Sequence, residues 1–550
     1  MNIQDTLFID LQEDEESSEG TTQHRINEFY FLPDPDKIVW THFPDEMQWQ
    51  LLDRPVTIKD FEDHVYIRER FHYLGMKLMP NSHDKCKVSS KNGEIELVFS
   101  LPVKQSEHSR FKYMLYKGQK SNTEQQEEDV LLDRFVMFEH TANLLRFTIR
   151  FPIKGKFKMD VFGLDITESD IFDLACTYII QCNEAKKNCL PLPDVPPIGW
   201  GPGANAKEAG LTPITHDGAI IVTKDGNVEI RLSADKNIQL HQMLKHALID
   251  EATLSNYAVT RLENGEAVVN IRLPQGGEYA LKLYADEAGK DGLAPNVLNY
   301  LIRSESKNVS NKPFPNISDG SLGPKPSADA IGVKPISHKG GSLTAKNGKA
   351  RVEFEAPSGV QLMVELHSSD ELACKRMMVT PKEENGKWVF DLDMPEAGEY
   401  SLNVFGCNKN SLDRIYNVHS YLVQSDGRTL DKAELDTRQE NKQTQTHVPV
   451  ETVQTSDNEI LIPIPPGFDD ACASLHRRNA NDPPVAHQVD IIEQDGIQLI
   501  KAQLPEFGEY QMNLYDREKK RICRNIAKYQ VNRRRPGKGS LTMLITIHVC

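Results

Sequence analysis

No stretch of this 550-residue chain is apolar for long enough to cross a bilayer as a helix, which takes about 20 residues. The last apolar stretch, Leu541 to Cys550, is half that length, so no membrane insertion is expected. Basic charge is in deficit: 64 Lys and Arg face 80 Asp and Glu, a net −16. A surface of that sign repels phosphate backbones, and the compact basic run Arg533-Arg534-Arg535 reads as a solvated tail. No nucleic-acid partner is expected. Tryptophan occurs four times and cysteine nine times, an odd number scattered from Cys86 to Cys550. Such scatter is not the disulfide framework of a small secreted domain. Met1 to Gly20 holds the acidic run Glu13-Asp14-Glu15-Glu16 and lacks the basic and apolar regions of a secretory signal. Together these read as a cytoplasmic protein, in which the glycosylation-type triplets at Asn308 and Asn316 are chance matches. No P-loop, no G-x-G-x-x-G after a strand and no H-E-x-x-H is present, so no cofactor is expected.

What the chain does have is self-similarity. Four segments share P-x-x-G-[EK]-[YF]: Pro152 to Phe157, Pro274 to Tyr279, Pro395 to Tyr400 and Pro505 to Tyr510, with prolines 122, 121 and 110 residues apart. From each motif aromatic an alternating run follows, such as Tyr279, Leu281, Leu283. Period two places those side chains on one face of a strand, and the Pro and Gly mark the strand start. A second tyrosine-led strand recurs at Tyr178, Tyr300, Tyr421 and Tyr529, lying 26, 26, 26 and 24 residues after the motif prolines. Upstream of each turn lies a further alternating strand behind Asn92-Gly93, Gly226, Gly348 or Asn458. Several short strands per unit of around 100 residues predict a two-sheet sandwich of immunoglobulin-like type. The motif aromatic is either a tyrosine corner or an ordinary core aromatic.

These patterns divide the chain into a disordered acidic amino terminus (1–27), a distinctive segment (28–75) and sandwich units 1 to 4 (76–187, 207–303, 332–424, 447–533). Between them lie an ordered Pro- and Trp-bearing connector (188–206) and two linkers (304–331, 425–446), with a tail at 534–550. Composition makes both linkers flexible. In unit 2, Leu240, Met243, Leu244, Ala247 and Leu248 fit one face of a helix over Leu240 to Leu254.

The segment Glu28-Phe-Tyr-Phe-Leu-Pro-Asp-Pro35, continuing through Thr41-His42-Phe43-Pro44-Asp45 to Trp49-Gln50-Leu51-Leu52, resembles the stretch just after the catalytic core in the kyphoscoliosis peptidase and hillarin family. The resemblance continues through Trp200-Gly-Pro and the P-x-[ST]-H starts at Pro80, Pro213 and Pro335, covering roughly residues 28 to 425. It implies a cytoskeleton-associated protein whose partners are cytoskeletal. Taken with the repeats, it gives a mainly β fold class: four tandem immunoglobulin-like β-sandwich units, the fourth resting on the strand pattern alone because it starts Pro449-Val-Glu-Thr452 without the His, after a short N-terminal remnant of a transglutaminase-like domain. Complete members carry a Cys, a His and an Asp, in that order, before the stretch matching Glu28 to Leu52. Here 27 residues precede it, without a cysteine. The expectation is a chain that is not an enzyme and has no catalytic residues. The alternative is a truncated product of a transglutaminase-like cysteine peptidase whose core lies upstream. An extracellular adhesion protein is disfavoured by the signal-less start and the unpaired cysteines.

Cys86 follows His83 by three residues on a strand, a poor setting for a thiolate–imidazolium pair, and Cys176 and Cys182 share a strand face as buried thiols. The repeated His83, His216 and His338 lack fixed carboxylate or thiol partners, so no metal site is expected. Their side chains are expected to hydrogen-bond each unit's opening turn. Trp40, Phe43 and Trp49 are candidates for a buried hinge or a protein-binding spot, and Trp200 joins them as a connector residue.

Overall fold

The computed structural model describes residues 9–10, 25–26, 28–79, 82–117, 130–196, 198–234, 238–287, 294–306, 308–408, 411–430, 434, 450–464, 471–477, 489–494, 497–504, 508–518 and 522–533. One sandwich recurs along the chain, and the described strands of its last stretch form a four-stranded and a three-stranded sheet. In unit 2 the first sheet has the order Leu211–Pro213, Asn227–Ala234, Glu266–Arg272, Ala258–Glu263. The second runs Ile220–Thr223, Asn296–Ser304, Gly277–Glu287, Ile238–His246, its first pair parallel and the others antiparallel. Unit 3 repeats this with Lys334–Pro335, Lys349–Glu355, Lys387–Asp393, Met378–Glu384 over Ser342–Ala345, Ser411–Ser425, Gly398–Asn408, Val360–Ser368. In unit 1, Lys87–Ser89 supplies the parallel strand against Asp173–Cys182, and in the fourth unit Val450–Thr455 supplies it against Ile522–Arg533.

The alternation seen in the sequence sets this architecture. Along Leu144–Arg150, Leu145, Phe147 and Ile149 are buried and the residues between them face outward. Each sandwich closes over its own apolar core. The motif strand carries a register shift at the same place in all four copies: Val161/Phe162, Leu283/Tyr284, Val404/Phe405 and Leu514/Tyr515. A bulge kept at one position bends and twists each motif strand alike.

Four expectations change. Leu240 to Leu254 is a strand, Ile238–His246, followed by a short helix, Glu251–Leu254. Ile238, Leu240 and Leu244 are buried against the Gly277–Glu287 strand, while Leu248 is fully outside. A short apolar run fits both periods, and sheet pairing decided it. Residues 304–331 are packed where a flexible linker was expected: Val309, Phe314, Ile317 and Leu322 are buried, and Pro326–Ala330 is helical. The polar composition hid four apolar anchors. In the second linker, Arg428 grips Asp393 and Glu434, and residues 435–449 lie outside the described residues. In the amino-terminal stretch Ile9–Asp10 pairs with Arg25–Ile26. The rest of 1–27, and the whole tail 534–550, lie outside the described residues.

The connectors join the units through backbone hydrogen bonds. Trp200 forms a parallel bridge with Glu139 of unit 1, and Gly201 an antiparallel one with Asn299 of unit 2. The second connector repeats this: Ser321 and Leu322 pair parallel with Thr260 and Arg261 of unit 2, while Gly323 and Pro324 pair antiparallel with Ser420 and His419 of unit 3. Apolar clusters sit under both. One gathers Met137, Leu192, Trp200, Ala219, Ala280 and Leu301; the other gathers Val259, Phe314, Ile317 and Leu322.

Candidate functional site

Each of the first three sandwiches opens on a short helix, a left-handed glycine and the P-x-[ST]-H stretch. The helices are Glu69–Tyr73, Ala204–Glu208 and Pro326–Ala330, and the glycines Gly75, Gly210 and Gly332 have φ of 67°, 76° and 73°. Glycine ends a helix in this conformation without steric cost. The hydroxyls of Ser82, Thr215 and Ser337 then accept hydrogen bonds from the backbone N–H of Val98, Arg231 and Glu353, at 3.2, 2.9 and 2.9 Å. The next residue gives its carbonyl to the late strand. Tyr178, Tyr300 and Tyr421 donate their hydroxyls to the carbonyls of His83, His216 and His338, at 2.8, 2.8 and 2.9 Å. Burial pushes all three phenols well above their ordinary range.

The histidine acts through its backbone carbonyl in all three units, and of the side-chain bonds expected to the opening turn His216 makes one. His216 and His338 hold φ of 59° and 49° and their imidazoles are exposed. His216 Nδ1 reaches no further than Thr215 Oγ1, at 3.0 Å. Among the described residues, no group of three or more His, Cys, Asp and Glu stands close enough to hold a metal ion. The motif tyrosines Tyr279 and Tyr400 donate to the carbonyls of Gln275 and Glu396, four residues upstream, which settles them as tyrosine corners. Unit 1 has Phe157 there and lacks the hydroxyl.

Cys86 stands three residues after His83. Cys86 Sγ faces the Thr177 carbonyl at 3.9 Å, and Cys176 and Cys182 are buried. Burial raises the Cys176 and Cys189 thiols above their ordinary range, the opposite of what activates a nucleophile. Cys374 is exposed and donates to the Ser368 carbonyl.

In the amino-terminal segment Trp40 stacks on His64, ring centres 3.7 Å apart, and Phe43 tilts against Phe61. Burial lowers His64 and brings the neighbouring His72, stacked on Phe29, down to about 4. Trp49 is half exposed, and Leu32 and Leu51 are exposed with φ above 50°. Trp200 is buried in the first connector. Sequence reasoning singled out these four aromatics and the connector that holds Trp200; the matching joint at Leu322 was signalled by Leu322-Gly-Pro, which repeats Trp200-Gly-Pro 122 residues later.

Unit 1 also carries a cavity of about 510 Å³ between its sheets' edges and the connector, lined by Phe111, Tyr113, Phe162, Phe172, Leu192 and Trp200 among others. Arg134 donates through Nε and Nη2 to the Leu192 carbonyl, and Lys112 lies over the Phe172 ring. Asp133 accepts from the Leu115 N–H at 2.7 Å, and burial holds its carboxyl above the ordinary range. In unit 2 the corresponding space is crossed by Gln242, which donates to the carbonyls of Ala258 and Gly320.

Comparison with known proteins matches three stretches of the chain, residues 58–193, 207–315 and 329–432, to the family described as KY-like, immunoglobulin-like domain. Hillarin of Drosophila melanogaster is 27% identical over 275 residues, 48% of this chain and 33% of that protein. The Lim and transglutaminase domain protein ltd-1 of Caenorhabditis elegans is 26% identical over 306 residues, 53% of this chain and 42% of that protein. Human kyphoscoliosis peptidase is 26% identical over 292 residues, 52% and 40% of the two chains. The match thus spans less than half the length of these curated relatives. With more than half of its residues in three such copies, the chain belongs to the KY-like immunoglobulin-like domain family.

Proposed function

We propose that this chain is a non-catalytic interaction or scaffold protein whose partners are proteins of the cytoskeleton. The observation that carries the reading is the backbone-bonded connector. Two joints of the same design run strand pairing from one sandwich into the next, an economical way to hold several binding faces at fixed spacing. Sandwich faces and sheet edges recognise proteins by shape and by strand addition, and burial raises the Cys176 and Cys189 thiols, away from what activates a nucleophile. Family membership and the resemblance to hillarin supply the cytoskeletal setting. Sedimentation of the full chain with preformed actin filaments, and separately with microtubules, tests this. Saturable co-pelleting that survives alkylation of the exposed thiols is the expected result; no pelleting with either filament would overturn it.

A second reading has its own support. Two relatives carry "transglutaminase domain" or "peptidase" in their names, and the match covers only part of each. On that reading the sandwiches position substrate for a catalytic core in a longer product. Thiol-dependent incorporation of a fluorescent amine into casein by the full chain would favour it over the scaffold.

A further inference from the structure

Each joint between the first three units is closed by the same pair of charged residues. Two positions before the motif proline, units 1 and 2 carry Arg150 and Arg272. Arg150 Nη1 bonds both carboxylate oxygens of Glu278, at 3.1 and 3.0 Å, and Glu278 belongs to the next unit's P-x-x-G-E-Y turn. Arg272 makes a two-point pair with Glu399, the same turn position in unit 3, with Nη2 to Oε1 at 2.7 Å. The side chains are 12 to 25% exposed. Each glutamate has a second arm across its own sheet: Arg303 bonds Glu278 at 2.9 Å, and Gln424 bonds Glu399 at 2.6 Å. Arg272 also covers the Phe314 ring of the connector at 3.9 Å. Planar guanidinium–carboxylate pairs fix orientation as well as distance, so they add angular restraint to the apolar hinge beneath.

The series ends at unit 3. Its corresponding residue is Asp393, and the fourth unit's turn carries Glu509, so the two positions have the same sign. Asp393 is instead held by Arg428, on the chain leaving its own unit. We propose that the Arg–Glu pair is the lock that fixes the angle between successive units, so that units 1 to 3 move as one rigid body and the fourth unit turns independently of it. The inference goes beyond the scaffold reading and does not depend on any partner.

The test is a pair of electron–electron distance measurements on the full chain, with spin labels placed by noncanonical amino acids at exposed sites. Labels at Lys224 and Lys346 span the joint of units 2 and 3; labels at Lys346 and Asp457 span units 3 and 4. The first pair should give a narrow distance distribution and the second a broad one. Arg272→Glu should broaden the first, and Arg272→Glu with Glu399→Arg should narrow it again. Should Arg272→Glu fail to fold, the unaltered chain in 1 M salt should show the same broadening, because screening acts within about 3 Å there. A first distribution unmoved by both Arg272→Glu and salt, or a second one as narrow as the first, overturns the proposal.

Discussion

At the scale of the residue, the third and fourth positions of P-x-[ST]-H do their work through a hydroxyl and a carbonyl. Tyr300 closes a buried bond to the His216 carbonyl, so Tyr300→Phe should destabilise unit 2 by about 1 kcal/mol. Thr215→Val should cost a similar amount, because it leaves the Arg231 N–H without its acceptor. His216→Asn should cost almost nothing, since the imidazole is exposed and asparagine tolerates φ of 59° better. Hydrogen exchange of strands Asn227–Ala234 and Asn296–Ser304 measures all three; a large loss for His216→Asn would restore a side-chain role. The repeat itself was legible in the sequence. The role of its histidine was not, because spacing reveals that a residue recurs but not whether its backbone or its side chain is used.

One buried imidazole makes unit 3 acid-sensitive. Burial holds His419 at about 4, below the ordinary value of about 6.5 for the unfolded chain. The unfolded state therefore takes the proton more readily, and stability present above about pH 6.5 is lost as the pH falls toward 4, at up to about 1.4 kcal/mol per pH unit. Leu298 stands at the matching place in unit 2, opposite Leu283 as His419 is opposite Val404, so this position of the sandwich accommodates leucine. That variant should flatten the pH dependence of exchange in strand Gly398–Asn408; an unchanged slope would assign the proton uptake elsewhere.

At the scale of the element, the informative pieces are the connectors. Trp200 is buried between Met137 of unit 1 and Ala280 and Leu301 of unit 2, outside both sandwich cores. Trp200→Ala should therefore cost about 3 to 5 kcal/mol at the joint and leave either core intact. The expected signature is fast exchange of Gly201 and Asn299 with protection kept at Leu281; collapse of the unit 2 core would mean that the connector is part of that core. The first connector was legible because Pro is dense in it and Trp200 stands among apolar residues. The second was not, because Val309, Phe314, Ile317 and Leu322 stand among Ser, Asn, Pro and Gly, and averaging over a window dilutes four anchors to nothing. The strand Ile238–His246 was misread for a related reason: its apolar residues satisfy both the helical and the strand period, and only the partner strand Gly277–Glu287 distinguishes them.

At the scale of the whole molecule, tandem units behave as a one-dimensional array in which each copy contributes its own stability and a share of its interfaces. Unit 2 owns half of both connector joints, so weakening it should be felt on either side. Leu281 is completely buried in its core, and Leu281→Ala should cost about 2 to 5 kcal/mol there. Strand Val136–His140 of unit 1 and strand Ser411–Ser425 of unit 3 pair directly with the two connectors. They should lose part of their hydrogen-exchange protection in the variant, while Ile522–Arg533, with no backbone pairing to unit 2 among the described residues, should keep its own. A loss confined to unit 2 would show that the joints transmit no free energy, and that the units are beads on a string instead of a coupled array.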